Sequence, residues 1–178
     1  MKSKQIALCA VLIALALALS YTERFIPLQM LIPLPGVKLG LANIVTLIAL
    51  YLLGAKYAFL ILIPRCLMGA IFGGGISGLL FSLTGGVLAM VIMVLAKKFS
   101  LFSIYGVSIL GAAAHNIGQI LAAMAMMRSV YVGAYLPWLL GVSLFTGLAI
   151  GGACAGVLRV LRSPNIGDAR TNRKNERN

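Results

Sequence analysis

Three polar residues, His115, Asn116 and Gln119, lie near the middle of a long apolar run. On a helix they fall within an arc of about 100°. Imidazole and amide groups both donate and accept hydrogen bonds, and they are costly next to hydrocarbon. The pattern indicates either hydrogen bonds to neighbouring helices or a face that binds a ligand. Their clustering around the single histidine of the chain favours the ligand-binding face.

A second polar pair stands where a Pro/Gly-rich segment leads into another apolar run. The segment PLPG at 33–36 breaks any helix, so Lys38 lies at the mouth of the next helix and Asn43 lies just inside it. We predict that Lys38, Asn43 and the three polar residues 115, 116 and 119 face one outward-opening cavity. A ligand would bind Lys38 through a charged head and extend its body toward the three.

Arg65 is the deepest charged residue, roughly 12 Å into its run if that run is helical. A guanidinium at such a depth must snorkel, pair or line a polar cavity. Pro64 frees a backbone carbonyl one turn earlier, so Arg65 either satisfies that carbonyl or binds substrate. Glu23, the only acid before Asp168, is likewise open to two interpretations: an exposed ion pair with Arg24, or a functional group.

The composition is that of a membrane protein. Of the 178 residues, 61% are hydrophobic and only 10% are charged, which excludes an ordinary soluble domain. Apolar runs near 20 residues recur along the chain, so we predict an all-α polytopic membrane protein with six transmembrane helices. The predicted spans cover residues 5–22, 39–53, 57–72, 79–96, 104–127 and 136–158. The first run also fits a cleaved signal peptide.

The positive charge of the chain predicts its orientation. The net charge is +12, and it sits at span ends and in the polar stretch 163–178. With both termini cytoplasmic, eleven Lys and Arg residues fall inside and three fall outside (Arg24, Lys38 and Arg128). We therefore predict a membrane domain at 1–162 and a basic, disordered cytoplasmic tail at 163–178. The charge indicates topology and contact with anionic lipid, and no nucleic-acid partner is expected.

Small residues recur at every fourth position of the first span, at Ala10, Ala14 and Ala18, which places them on one helix face. Such a face permits close helix–helix approach in lipid, either within the protein or with a partner. The three cysteines are far apart in apolar runs and are predicted to be buried thiols. Neither a metal site nor a cofactor is expected.

Two blocks carry a family resemblance, PGVKLGLAN at 35–43 and GAAAHNIGQ at 111–119. They resemble the signature of small bacterial membrane proteins of the Gx transporter, or heptaprenyl diphosphate synthase component I, family. The resemblance covers roughly residues 4–162. That family in turn resembles the substrate-binding (S) components of energy-coupling-factor vitamin transporters. It implies a protein of the bacterial cytoplasmic membrane that docks a transmembrane coupling subunit on Ala10, Ala14 and Ala18 and works with ATPase subunits.

Three functions remain open at this point. The first is a substrate-capturing transport subunit for a small anionic or amphipathic molecule, because bases at the predicted mouth outnumber acids three to one. The second is an accessory subunit in isoprenoid or quinone metabolism. Prenyl chain elongation needs paired aspartates for Mg²⁺, and the chain has only three acids and no DDxxD, so we expect no catalysis by this chain alone. The third is a scaffold in a membrane redox assembly.

Overall fold

The computed structural model describes residues 3–25, 38, 40–99 and 101–162, Arg24 without its side chain. This part of the chain is helical and contains no strand, which confirms the all-α prediction. The six α-helices are α1 Ser3–Thr22, α2 Asn43–Leu52, α3 Ala55–Gly69, α4 Gly75–Lys98, α5 Ile104–Met127 and α6 Leu136–Arg162. The predicted tail at 163–178 and the Pro-rich segment before Lys38 lie outside the described residues.

Helix boundaries differ from the predicted spans where glycine interrupts the backbone. The second helix begins at Asn43 and not near residue 39, because Gly40 has a φ of +82° that no helix accommodates. The third and fourth helices are joined by a π-helical turn, Ala70–Gly74, in place of the predicted loop. The chain kinks within it at Gly73, whose φ is +104°. Short 3-10 turns follow the first helix (Glu23–Phe25) and precede the last (Val130–Tyr135).

Four stretches of the described chain are long and apolar enough to cross a membrane. They are Ser3–Thr22, Ala55–Lys98, Ile104–Met127 and Val130–Leu161. The second stretch has 44 residues and contains both α3 and α4, joined at the kink, whereas α2 has only 10 residues. The helices are those of a membrane protein, and the number of six spans stays a prediction.

Glycines allow α5 to pack closely against both α4 and α6. A Cβ added at Gly118 of α5 would lie 2.7 Å from the Cα of Gly85 in α4. On the other side of α5, a Cβ added at Gly147 of α6 would lie 2.6 Å from the Cα of Ile109. Such close backbone approach is typical of small residues at interfaces between membrane helices. It fixes α5, and the polar residues that α5 carries, in the middle of the bundle.

Contacts between helix ends show that the first four helices alternate in direction. Lys97 at the end of α4 donates from Nζ to the carbonyl of Leu50 at the end of α2, at 2.7 Å. Tyr57 at the start of α3 donates to the side chain of Gln5 at the start of α1, at 2.9 Å. The opposite ends of these helices therefore share the other end of the bundle, where the predicted site residues lie.

A candidate anion-binding cavity

Gln119 holds the backbone of Lys38 at two points. With the amide oriented to satisfy its neighbours, its oxygen accepts from the Lys38 N–H at 3.2 Å and its nitrogen donates to the Lys38 carbonyl at 3.1 Å. His115, one turn earlier on α5, donates from Nε2 to the same amide oxygen at 3.0 Å. Gln119 has no exposed surface and His115 is buried, so both side chains serve to position Lys38 inside the bundle.

The charged group of Lys38 points the other way, toward α4. Its Nζ donates to Oγ of Ser82 at 3.2 Å. Nothing in the sequence distinguishes Ser82, because a single serine in an apolar helix is equally typical of helix packing. The lysine is therefore fixed by its backbone to α5 while its ammonium group meets α4.

Arg65 ties α3 to the start of α2. Its Nη2 donates to Oδ1 of Asn43 at 3.1 Å, and the side chain is only 7% exposed. The guanidinium does not bind the backbone carbonyl that Pro64 frees, so that structural interpretation is wrong. No carboxylate lies within salt-bridge distance of Arg65 in the part of the chain that the structure describes, and its Nε has no hydrogen-bond partner there. A buried cation therefore faces the site without a salt-bridge partner among the described residues.

Glu23 is buried and not an exposed member of a rim ion pair, which corrects that interpretation. It is 4% exposed, and its Oε1 accepts the backbone N–H of Leu41 at 2.7 Å. Burial raises the pKa of the Glu23 carboxyl above its ordinary value, while the Leu41 N–H and the charge of Lys38 oppose the shift. The end of α1 is thereby linked to the turn that carries Lys38 into α2.

A cavity of about 420 Å³ lies at this end of the bundle, between α1, α3 and α4. Its polar lining includes Lys38, Arg65 and Ser82. Two cations thus line one space, together with the hydroxyl of Ser82, which donates as well as accepts. Guanidinium and ammonium groups are the side chains that bind phosphate and carboxylate most strongly, so this lining suits an anion.

The rest of the cavity wall is mostly apolar. On α1 it includes Leu17, Ala18 and Tyr21, and on the α3 side it includes Cys66 and Phe72. The wall reaches the surface of the bundle, because Tyr21 is 55% exposed and Phe72 is 62% exposed. The cavity combines a charged interior end with an apolar rim, the arrangement expected for an amphipathic ligand.

The structure separates the six predicted substrate-binding residues into three groups. Lys38 and Arg65 line the cavity. Asn43, His115 and Gln119 are buried behind them and are not among its lining residues. Asn116 belongs elsewhere, because its Nδ2 donates to the Leu139 carbonyl at 2.9 Å and joins α5 to α6.

The cavity does not follow the predicted direction of a ligand. Residues 115, 116 and 119 are buried and do not line this cavity, so a ligand held in it does not extend from Lys38 toward them. The open space lies on the opposite side of Lys38, against α1. Sequence periodicity places residues on a face of their own helix but does not show which neighbour covers that face.

The small-residue face of α1 lies on the outside of the described bundle. Ala10, Ala14 and Ala18 are exposed, whereas the buried residues of this helix are Cys9, Leu12 and Ala16. Ala18 also lines the cavity. Docking of a partner on this face stays a prediction. The three cysteines are buried and free, as predicted.

The family of this protein follows from a match of its sequence to a family model. The model for heptaprenyl diphosphate synthase component I matches residues 12–157, which is most of the chain. The protein belongs to this family. Comparison with curated proteins and with solved structures found no significant match. The matched range contains the cationic cavity residues and the Gln119–His115 pair that positions Lys38.

Proposed function

We propose that this member of the heptaprenyl diphosphate synthase component I family is a membrane-embedded binding subunit for a small anionic or amphipathic molecule. One observation carries the proposal: a cavity of about 420 Å³ whose lining contains both Lys38 and Arg65. A charge as deep as Arg65 is costly in a membrane protein, and such residues usually mark a path or site for a ligand. The Gln119 contacts that fix Lys38 support a preformed site.

We further propose that the cavity opens on the outer side of the cell membrane. This orientation rests on the eleven-to-three distribution of basic residues, which assumes six spans. A reporter fused directly after Arg162 is expected to be active on the cytoplasmic side only, because this orientation places both termini in the cytoplasm. Activity of that reporter on the outer side would reverse the orientation and the direction of capture.

Energy for release would come from partner subunits, in line with the resemblance to S components of energy-coupling-factor transporters. The exposed Ala face of α1 supports docking of such a partner, since small residues allow close helix approach. Replacing Ala14 by Leu is expected to reduce copurification of the partner while ligand binding stays unchanged. Full copurification and uptake with the Ala14→Leu protein would show that docking occurs elsewhere.

A second role is supported by the family name, which describes a component of a synthase. Here the protein would be an accessory subunit that binds a prenyl diphosphate for a catalytic partner. It would not itself elongate the prenyl chain. The same two cations suit a diphosphate head, and the acids needed to hold Mg²⁺ there are few in this sequence. Copurification of a soluble synthase subunit, in place of ATPase subunits, would favour this role.

Native mass spectrometry of the gently extracted protein tests the shared core of these proposals. We expect a bound small molecule of negative charge in the wild-type protein and its loss when Lys38 is replaced by Ala. Lys98→Ala is the matched control, because Lys98 is an exposed lysine at the opposite end of the bundle. Retention of the same molecule by the Lys38→Ala protein would contradict binding at this cavity.

A further inference from the structure

The apolar part of the cavity has its own geometry. Ala18 and Tyr21 of α1 face Gly69 and Phe72 of the α3 side across the space. The helices are close here, because a Cβ added at Gly69 would lie 4.0 Å from Cδ2 of Leu17. A glycine at this position leaves the floor of the passage without a side chain, and Ala18 adds only a methyl group on α1. The result is an apolar passage between two helices.

This passage leads from the cations to the apolar surface of the bundle. Arg65 at one end is 7% exposed, whereas Tyr21 and Phe72 at the other end are more than half exposed. Their neighbours on the surface are also apolar, since Ile71 is 80% exposed and Phe25 is 75% exposed. An exposed apolar surface of this kind suits contact with a membrane. The passage therefore connects a buried positive site with an apolar surface of the bundle.

We propose that the ligand is a lipid-like anion: a phosphate or carboxylate head bound by Lys38 and Arg65, with an apolar chain that leaves sideways between α1 and α3. This inference rests on the proposed function and narrows its substrate class, since it excludes a wholly water-soluble metabolite. The chain of such a ligand passes Ala18 and Gly69 and reaches the bilayer at Tyr21 and Phe72. The head and the chain contribute separately, because they contact different residues.

Binding of three probes to the full-length protein in nanodiscs tests this assignment. The probes are farnesyl monophosphate, which has head and chain, inorganic phosphate, which has the head alone, and farnesol, which has the chain alone. We expect farnesyl monophosphate to bind at least tenfold more tightly than either of the others. Equal affinity for inorganic phosphate, or for farnesol, would overturn the assignment of a lipid-like anion.

Variants that block the passage test the contribution of the ligand's apolar chain separately from that of its head. Ala18→Trp and Gly69→Leu are expected to weaken binding of farnesyl monophosphate at least tenfold while leaving the weaker binding of inorganic phosphate unchanged. Leu67→Trp is the control on α3, because Leu67 is exposed and outside the cavity lining. Ala14→Trp is the control on α1, one turn away and outside the cavity lining. Unchanged chain-dependent binding in both blocked variants, each still folded by thermal unfolding, would refute the sideways passage.

The two proposals fail in different ways. If Lys38→Gln and Arg65→Gln bind farnesyl monophosphate and inorganic phosphate as the wild-type protein does, the proposed anion site is wrong. If those variants lose both probes but Ala18→Trp and Gly69→Leu lose neither, the anion site stands and the lipid-like ligand is wrong. Loss of the chain-bearing probe alone in the blocked variants supports both proposals.

Discussion

Arg65→Gln is expected to weaken binding of an anionic probe such as farnesyl monophosphate by about ten- to 150-fold while raising the stability of the ligand-free protein. The loss follows from the removal of a charge-assisted hydrogen bond to the head, worth about 1.5–3 kcal/mol. The gain follows because no carboxylate in the described structure lies within salt-bridge distance of the buried guanidinium, and the charge of Glu23 acts on it only from farther away. The glutamine amide lies two bonds nearer to the backbone than Nη2 of Arg65, so the hydrogen bond to Oδ1 of Asn43 is expected to be lost and to reduce the gain in part.

Opposite signs of the two effects distinguish a binding residue from a structural one. Affinity is measured in nanodiscs and stability by thermal unfolding without ligand, where about 1 kcal/mol corresponds to 2–4 °C for a chain of this size. A residue needed only to hold the helices together would give the reverse, a lower unfolding temperature with affinity intact. Arg65→Lys serves as a comparison, because it keeps the charge but loses the planar fork of donors.

Gly118→Ala is expected to lower the stability of the protein by about 1–3 kcal/mol, or roughly 2–12 °C in unfolding temperature. The added Cβ would lie 2.7 Å from both the Cα of Gly85 and the carbonyl oxygen of Thr84. Both are backbone atoms, so α4 and α5 have to move apart. Because Gln119 follows directly in the chain, the same movement disturbs its hold on Lys38 and weakens ligand binding.

Gly78→Ala provides the matched control for this prediction. Gly78 also lies in a long apolar helix, but a Cβ added there meets nothing within 4 Å. We expect this variant to be as stable as the wild type or slightly more stable, since Ala favours a helix over Gly by up to about 1 kcal/mol. Equal unfolding temperatures for the Gly118→Ala and Gly78→Ala proteins would show that the α4–α5 interface is not as tight as described.

Both predictions depend on contacts that no single helix reveals. The sequence placed Lys38 at the start of a helix and Arg65 within another, and it identified both as candidate ligand-binding residues. It also grouped His115 with Gln119, whose spacing of four residues makes them neighbours on one helix face. Asn116 was grouped with them on the same grounds, yet it binds the Leu139 carbonyl, because α5 is covered by α4 on one side and by α6 on the other.

The sequence by itself determined the class of the protein. A chain with 61% hydrophobic residues and few charges must satisfy its backbone internally, and helices are the solution that needs no partner strand. Prolines and glycines between the apolar runs then set the number of helices and most of their boundaries. The same composition predicted that the three cysteines are buried, and it made the cations the costly exceptions that predict a site.

Only the tertiary structure decided where the site opens. Lys38 and Arg65 are 27 positions apart with a whole helix between them, and Ser82 and Glu23 join them from two further parts of the chain. Their meeting depends on which helices are adjacent and on how closely the glycines let them approach. Those are properties of side-chain packing between distant segments, whereas periodicity records only the faces of one segment. For that reason the cavity against α1, and not the polar face of α5, became visible only in the folded protein.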